Sequence, residues 1–370
     1  MTAVPFVDFK AHVAALRPEL DAAIARVLDS GWFILGPEGE AFEKELAQAL
    51  GAADAVGVAN GTEAIQLALQ AVGVGAGDEV VTSTLTAAFT GLAILSAGAR
   101  PVFADVDPGT LNVSSETLAR AVTPRTKALL PVHLYGHPVD LDPMLELARA
   151  RGIPLVEDAC QAHGARYKDR PVGALSGIGA LSFYPTKNLG ALGDGGAVLV
   201  NDPALAQRLR RLRNGGQSDR YRHEHPGLNS RLDELQAAVL RVKLRHLAAH
   251  VERRRALARL YAQELAGLPL QLPQEQTYAR AVWHLFVIRH ARRDALQAEL
   301  QKRGIATLIH YPIPLHLQPA FAALQGRRGD HPVAEQAAAE ILSLPLYPEL
   351  SDEQVRAVCA ALRDAAAALS

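Results

Sequence analysis

Residues 180–200 read ALSFYPTKNLGALGDGGAVLV, and the prediction of the fold starts from them. Two apolar runs, Ala180–Ser182 and Gly196–Val200, predict β-strands, and the glycine-rich segment between them predicts a tight connection. Lys187 lies in this connection. A lysine held between buried strands must pair with a charge or lose its proton, and a neutral amine can form a Schiff base with a carbonyl or with pyridoxal phosphate (PLP). From this stretch alone, a structural and a catalytic lysine are equally open.

Composition places the chain among globular proteins. It has 370 residues, 49% of them apolar and 21% charged, so two or three well-cored domains are expected. The net charge of -1 gives no electrostatic basis for binding nucleic acid or a membrane surface. Two cysteines exclude a disulfide framework and fit a reducing compartment. Without a signal-peptide core or a run of ~20 apolar residues, we expect a cytoplasmic protein.

Short apolar runs alternate with helical segments through the first half of the chain. This alternation is typical of an α/β fold with a mainly parallel sheet and helices on both faces, which binds ligands at the carboxyl ends of its strands. Helices are expected from about Arg17 to Leu28 and after Pro37. Seven strands are predicted near Ala55–Val58, Glu79–Thr82, Arg100–Phe103, Lys127–Pro131, Pro154–Glu157, Ala180–Ser182 and Gly196–Val200.

The pattern changes after Asn201. A helical run from about Ser230 to Leu265 predicts a connector, and a strand-like run at Val282–Arg289 with further helices predicts a smaller α+β domain. We therefore predict three parts. Residues 1–30 form a segment that packs with the small domain, residues 31–245 form the large domain with the sheet, and residues 246–370 form the small C-terminal domain.

Two more segments offer groups for a cofactor at Lys187. Asp158 ends an apolar strand, where its carboxylate can face a pyridine nitrogen; a helix cap or a solvated edge is the alternative. Gly61 and Thr62 stand where a strand runs into a helix, so their amides and a hydroxyl can bind phosphate. An ordinary N-cap at Thr62 is the alternative there. Ser182 supplies a second hydroxyl.

Five ordered motifs resemble the PLP-dependent aminotransferases of nucleotide-sugar biosynthesis, the DegT family. The similarity runs from Phe6 to beyond Leu344, and it implies the aminotransferase fold called fold type I. The motifs are Asn60-Gly61-Thr62, Val156-Glu157-Asp158-Ala159 with Gln161, Ser182-Phe183-Tyr184-Pro185-Thr186-Lys187-Asn188, Gly193-Asp194-Gly195-Gly196 and Asn229-Ser230-Arg231-Leu232-Asp233.

The resemblance implies a role for each matching residue. Lys187 would bond to the cofactor aldehyde and then carry the proton during transamination. Asp158 would pair with the pyridine nitrogen, and Gln161 would contact the phenolic oxygen. The phosphate would be held by Gly61, Thr62, Ser182 and, from the neighbouring subunit, Asn229. The resemblance thus implies a homodimer with shared active sites.

One position departs from the family pattern. Relatives have an aromatic residue directly after the threonine that corresponds to Thr86, where it lies against the cofactor ring, but this chain has Ala87. Phe89 follows two positions later. If the segment is already helical there, Phe89 points away from the ring. The stacking role is therefore left unassigned.

The substrate side is predicted from three segments. Tyr184, His310 and Tyr311 match segments that line the sugar pocket in relatives, although a tyrosine- and proline-rich loop is often plain structure. Arg220 lies in a polar loop, where its guanidinium suits a pyrophosphate; a solvated surface loop is the alternative. Two histidines in the same loop, at i and i+2 with no third ligand, predict no metal site.

The resemblance is strongest to the branch that aminates 3-keto-6-deoxyhexoses bound to dTDP. We therefore predict transamination of a keto group on a nucleotide-linked sugar, with an amino acid, expected to be glutamate, as the donor. Amination at the 4-position and a non-catalytic, PLP-binding regulatory protein are the alternatives. Relatives that dehydrate sugars carry histidine in place of the lysine, so Lys187 disfavours a lyase.

Overall fold

The computed structural model describes residues 3–369, and the chain folds as mixed α/β with a central sheet. No helix in that range is both long and apolar enough to cross a membrane. The helices are α1 (Phe9–Ser30), α2 (Pro37–Leu50), α3 (Gly61–Ala71), α4 (Ala88–Ser96), α5 (Ser115–Ala121), α6 (Leu141–Arg151), α7 (Pro203–Leu212), α8 (Glu234–Glu264), α9 (Arg293–Lys302), α10 (Pro332–Glu340) and α11 (Asp352–Leu369). The strands are β1 (Asp54–Val58), β2 (Glu79–Ser83), β3 (Arg100–Ala104), β4 (Thr126–Leu130), β5 (Glu157–Asp158), β6 (Arg166–Tyr167), β7 (Arg170–Pro171), β8 (Ile178–Ser182), β9 (Gly196–Val200), β10 (Gln217–Asp219), β11 (Arg222–His223), β12 (Ala279–Arg280), β13 (Phe286–Arg289) and β14 (Ile341–Leu344).

The central sheet has two parts joined edge to edge. One part has the strand order β1-β9-β8-β5 and the other the order β3-β2-β4. Parallel bridges between Leu129 and Leu155, and between Val132 and Asp158, join the two parts. The β9 strand runs antiparallel to β8 and β1, whereas β5 with β8 and β2 with β3 and β4 are parallel. Residues 183–195 return the chain directly into β9, because they leave no room for a crossover helix.

Both faces of this sheet are buried. In β9, Ala197 and Leu199 pack into one hydrophobic cluster, and Val198 and Val200 pack into another on the opposite face. Successive side chains of a strand point to opposite faces, so an all-apolar strand needs a covered sheet on both sides. The α/β class predicted from the apolar runs is confirmed.

The starts of α1 and α3 differ from the prediction because local caps were overlooked. The α1 helix begins at Phe9, eight residues before the expected start, since the Asp8 carboxylate accepts a hydrogen bond from the Ala11 amide at 2.9 Å. At the start of α3, the cap is Asn60, whose side chain accepts from the Glu63 amide at 2.9 Å. Thr62 is therefore not the N-cap.

The C-terminal part has its own core around the β13–β14 pair. This core includes Phe286, Leu342 and Leu362, and Val4 from the N-terminal segment packs into it. The α1 helix packs instead on the first half of α8, through contacts such as Leu20 with Val239. The predicted boundary at residue 245 lies inside α8. The three-part division stays a prediction.

Glu234 ties the start of α8 to the start of α2. Its buried carboxylate accepts hydrogen bonds from the amides of Gly36 at 3.0 Å, Glu38 at 2.8 Å and Gly39 at 2.9 Å. These donors lie at the positive end of the α2 dipole and have no other cap. We expect Glu234→Ala to lower the free energy of unfolding by about 2 kcal/mol, measured by urea denaturation.

The neighbouring Asp233 is the matched control. Asp233 is exposed and, although it stands at the N-cap of α8, its side chain makes no capping hydrogen bond. We expect Asp233→Ala to change stability by less than about 0.5 kcal/mol. Equal effects of the two substitutions would show that the carboxylate of Glu234 does not stabilise α2.

Candidate active site

The Lys187 turn is fixed by backbone contacts at the end of β8. The amide of Lys187 donates to the Tyr184 carbonyl at 2.8 Å, and the Ala191 amide donates to the Phe183 carbonyl at 2.8 Å. Gly190 permits this close packing, because a Cβ there would lie 2.4 Å from the Pro185 carbonyl oxygen. The lysine backbone therefore has one well-defined position at the carboxyl end of the strand.

Burial lowers the pKa of the Lys187 amine. The nearby Asp158 carboxylate and Cys160 thiol oppose this shift but do not cancel it. A lysine with a lowered pKa has more of the neutral amine, which is the form that attacks a carbonyl carbon. The electrostatics favour the catalytic interpretation of Lys187 over the structural one.

Asp158 lies at the end of β5 and is 2% exposed. Its Oδ2 accepts a hydrogen bond from the Thr90 hydroxyl at 2.8 Å, and its Oδ1 accepts from the Cys160 amide at 3.2 Å. A carboxylate has about four acceptor positions, so these two bonds leave capacity for another donor. Such a buried acceptor suits a protonated ring nitrogen.

The adjacent Glu157 points to the other side of the strand and is used within the protein. Its carboxylate accepts from the amides of Gly173 at 2.7 Å and Ser176 at 2.8 Å, and it lies 3.1 Å from His133 Nε2. Burial opposes ionisation of Glu157, but these hydrogen bonds outweigh burial and lower its pKa. Glu157 is therefore a buried structural carboxylate, and it is neither a helix cap nor part of a solvated edge.

Gly61 and Ser182 are in direct contact at the N-terminus of α3. A Cβ on Gly61 would lie 2.5 Å from Ser182 Cβ and 2.9 Å from Ser182 Oγ, so only glycine fits. Thr62 is the next residue of the helix, and its side chain is not used for the cap. Free amides at a helix start together with two hydroxyls form a set of donors that suits a phosphate.

Gln161 connects the segment after β4 with Tyr311. Its Oε1 accepts from the Tyr135 amide at 2.7 Å, and its Nε2 donates to the Tyr311 hydroxyl at 3.1 Å. The Tyr135 hydroxyl donates in turn to the His310 carbonyl. Burial raises the pKa of Tyr311 to about 12, so this phenol stays protonated at neutral pH. The structure therefore brings Gln161, His310 and Tyr311 together.

Three buried or half-buried imidazoles are affected by the charge of Lys187. Burial and the lysine charge lower the pKa of His163 to about 3 and that of His310 to about 4. The same two causes lower the pKa of His284 well below its usual value. Within residues 3–369, His284 Nδ1 has no hydrogen-bond partner. These imidazoles are neutral at physiological pH and add no positive charge beside the lysine.

Arg220 and Asn229 have only local contacts. Arg220 lies in the exposed β10–β11 hairpin, 5.3 Å above the Tyr221 ring. Asn229 is exposed and pairs through its backbone with Asn214. Tyr184 is exposed too, but it lies in the lysine turn. In the part of the chain that the structure describes, no group of three or more His, Cys, Asp or Glu side chains could hold a metal ion.

Sequence reasoning missed several residues of this site. Thr90 binds the Asp158 carboxylate, Tyr135 binds Gln161, and His284 lies near the lysine. A signal existed for Thr90, because Thr86 and Thr90 are four residues apart at the start of a helix, and their hydroxyls lie 3.3 Å apart. The sequence offered no comparable signal for His284.

At Ala87, where relatives have an aromatic residue, the structure begins a helix. Ala87 is the N-cap of α4, and Phe89 is already helical and 62% exposed. The helix turns Thr86 and Thr90 inward and Phe89 outward, as the spacing predicts. Phe89 does not replace the missing aromatic residue within this chain.

The chain is similar to known proteins along almost its whole length. The chain is 52% identical over 362 residues to a dTDP-3-amino-3,4,6-trideoxy-alpha-D-glucose transaminase of Streptomyces venezuelae, covering 98% of this chain and 96% of the relative. It is 51% identical over 361 residues to the erythromycin biosynthesis sensory transduction protein EryC1 of Saccharopolyspora erythraea, covering 97% and 99%. The crystal structure of S. venezuelae DesV in complex with a ketimine intermediate superposes with a TM-score of 0.97 at 51% identity, covering 99% of each chain.

The fold and these relatives define the chain as an aminotransferase. Residues 15–363 match the model of the DegT/DnrJ/EryC1/StrS aminotransferase family. The chain belongs to that family, so the resemblance read from the five motifs is confirmed.

Proposed function

We propose that this enzyme uses PLP to transfer an amine between an amino acid, with glutamate as the expected donor, and the 3-keto group of a dTDP-linked 6-deoxyhexose. One observation carries the proposal: Lys187, Asp158 and the Gly61–Ser182 contact lie together at the carboxyl ends of adjacent strands. When bound, PLP supplies an aldehyde that takes up the amine and a ring that withdraws electrons. The names of the relatives support the sugar and the position of amination.

The chain's own residues divide this work. The Lys187 amine would bond to the aldehyde and, once released, would hold and move the proton at the reacting carbon. The Asp158 carboxylate would hold a proton on the ring nitrogen. Gln161 would orient the ring oxygen, while Gly61, Thr62 and Ser182 would bind the phosphate. His310 and Tyr311, with Tyr184 from the lysine turn, would face the sugar.

Arg220 is proposed as the pyrophosphate ligand. It is exposed, and its hairpin is held at one end because His223 Nδ1 lies 2.7 Å from the Gly215 carbonyl oxygen. A guanidinium forms two parallel hydrogen bonds with a phosphate, which suits a nucleoside diphosphate. We further propose that the enzyme works in the cytoplasm, where its free Cys160 and Cys359 stay reduced.

A panel assay tests the proposed function. The protein is incubated with PLP, glutamate and a set of 3-keto and 4-keto sugars on dTDP, and the amino product is followed by mass. We expect amination of the 3-keto sugar, with 2-oxoglutarate formed in equal amount. Amination of only the 4-keto sugar would overturn the regiochemistry. PLP binding with no turnover of any sugar would instead favour a regulatory protein, and the relative EryC1 is named as a sensory transduction protein.

Gly61→Ala tests the phosphate site. The added Cβ would overlap Ser182 by the distances given above, which would push apart the groups that bind phosphate. We expect the affinity for PLP to fall by about tenfold or more, measured by absorbance titration. Gly75→Ala is the matched control, because a Cβ at Gly75 meets no atom within 4 Å. Equal affinity in the two variants would remove Gly61 from the phosphate site.

We propose a homodimer in which Asn229 reaches the phosphate of the partner subunit. Large apolar side chains are exposed around the start of α8, close in sequence to Asn229, and an exposed patch of this kind suits burial by a second copy. The Phe33 carbonyl accepts from the Glu234 amide, and the Leu192 amide donates to Gln236. The exposed apolar side chains of the patch are Trp32, Phe33, Ile34 and Leu192.

Mixing two inactive variants tests the shared site. A Lys187→Ala chain and an Asn229→Ala chain, allowed to exchange subunits, should form hybrid dimers with one intact site each. We expect activity to recover to about a quarter of wild type, because half of the dimers are hybrids and half of their sites are intact. Absence of recovery in a mixture that light scattering and mass spectrometry show to be exchanged would contradict the cross-subunit contact.

A further inference from the structure

Thr84, His316 and Glu335 form a hydrogen-bonded series outside the groups described so far. The Thr84 hydroxyl oxygen lies 2.7 Å from His316 Nδ1, and His316 Nε2 lies 3.0 Å from Glu335 Oε1. Thr84 is fully buried and His316 is 4% exposed. A hydroxyl, an imidazole and a carboxylate in series can activate a nucleophile, but a fully buried hydroxyl cannot reach a substrate. The series therefore has another use.

Hydrogen bonding sets the orientation of His316. Burial opposes ionisation of Glu335, but bonds from the Gly329 amide and from His316 outweigh burial and lower its pKa. An ionised carboxylate only accepts, so His316 Nε2 donates to Glu335, and Nδ1 on the other side of the ring is paired with the Thr84 hydroxyl. Each member then has a partner, and removing any one of them leaves a buried polar atom unpaired.

The series joins two parts of the fold that are far apart in sequence. Thr84 follows β2 directly, and its carbonyl also accepts from the Leu315 amide at 2.7 Å. Glu335 lies on α10, whose first amides, those of Val333 and Ala334, donate to the Asp105 carboxylate after β3. The carboxyl ends of two sheet strands thus hold one end of the loop at residues 310–316.

The other end of the loop is held at the cofactor side. Tyr311 accepts from Gln161, and the His310 carbonyl accepts from Tyr135, as described above. His310 Nδ1 also lies 2.9 Å from the Ser343 hydroxyl. Between the two anchors, Ile313 is exposed. The loop is fixed at both ends, so the position of His310 and Tyr311 depends on the contacts at each end.

We propose that Thr84, His316 and Glu335 are positioning residues that set the loop at residues 310–316 for the nucleotide sugar, without affecting the smaller amino-acid donor. The inference rests on the proposed function, because it assigns the loop to the sugar. An amino acid needs few contacts beyond the reacting carbon, whereas a dTDP-sugar also needs contacts far from that carbon, which we assign to the loop at residues 310–316. Loosening this loop should therefore weaken the binding of the larger substrate only.

A comparison of two amine donors that react with the same PLP-bound form of the enzyme tests this proposal. Glutamate and a dTDP-linked 3-amino-3,6-dideoxyhexose each give their amine to the PLP form and leave as keto compounds, and the same loss of absorbance reports both half-reactions in stopped flow. We expect Thr84→Val and His316→Gln to raise the half-saturating concentration of the amino sugar by about tenfold, since one buried hydrogen bond is lost. The glutamate half-reaction should change by less than about twofold. Thr84→Ser, which keeps the hydroxyl, should behave as wild type.

A matched control and a binding measurement complete the test. His12 and Glu349 form a similar histidine–carboxylate pair, 2.7 Å apart, away from this loop, so His12→Gln should leave both half-reactions unchanged. In a Lys187→Ala background, titration calorimetry should show the same tenfold loss of affinity for the amino sugar when Thr84→Val is added. Equal slowing of both half-reactions, or no change in either, would overturn the proposal. A wild-type chain that accepts no amine from either donor would overturn the proposed function as well.

Discussion

Lys187→Ala is expected to abolish transamination. The variant lacks the amine that we propose bonds to the cofactor and moves the proton, so we expect turnover to fall by at least about 10⁴-fold. The absorbance of the lysine-bound cofactor should disappear, and borohydride should no longer link the cofactor to the chain. Peptide mapping of the reduced wild-type protein should find the cofactor on Lys187 alone.

A second buried lysine provides the control for this result. Burial lowers the pKa of Lys243 to about 8, and its amine donates to the Gly190 carbonyl at 2.7 Å, in the same connection that holds Lys187. Lys243→Met removes a buried amine of lowered pKa without removing the proposed nucleophile. We expect it to keep the lysine-bound absorbance and most of the turnover. Cofactor attached to Lys243, or to neither lysine, would refute the catalytic assignment.

Asp158→Asn is expected to leave PLP bound but to slow transamination by roughly 10²- to 10³-fold. An amide in place of the carboxylate removes the negative charge that we propose keeps a proton on the ring nitrogen, and an unprotonated ring withdraws fewer electrons. The Thr90 hydroxyl can still bond to the amide oxygen, so the fold around position 158 should be kept. Single-turnover rates with glutamate and cofactor titration separate the two effects.

Asp105→Asn is the matched control for Asp158→Asn. Asp105 also follows a strand of the central sheet, but its carboxylate accepts from the Val333 amide at 3.1 Å and the Ala334 amide at 2.9 Å and caps α10. We expect this variant to lose about 1 kcal/mol of stability and to keep the rate of the glutamate half-reaction. If both variants slow that half-reaction equally, the charge of Asp158 has no special role.

The elements that sequence patterns predict well are those set by neighbouring residues. The β9 strand lies at the predicted residues. Its short run is apolar throughout, which fits a buried strand and excludes an amphipathic surface helix, since such a helix needs a polar face. The same kind of pattern placed Lys187 in the connection after a strand and Gly61 where a strand runs into a helix. The predicted start of α1 was wrong because a single residue, Asp8, caps the helix eight residues earlier.

Contacts between distant residues could not be predicted in the same way. Thr90 lies 68 positions before Asp158, and Thr84 lies 232 positions before His316. No local pattern connects such pairs, since each contact depends on how the helices, the sheet and the C-terminal part of the chain pack. The motifs therefore predict the groups that act on the cofactor, while the groups that hold them in place required the fold.

The α8 helix has a consequence for exchanging parts between relatives. It runs for 31 residues, about 46 Å, from Glu234, which contacts the start of α2, to the C-terminal core. About two-thirds of the way along, Arg254 donates to the Trp283, His284 and Leu346 carbonyls. A chimera joined at residue 245 would build α8 from two parents, although each half of this helix packs against elements of its own parent. A chimera that takes all of α8 from one parent, together with α2 and the loops that α8 contacts, should still fold.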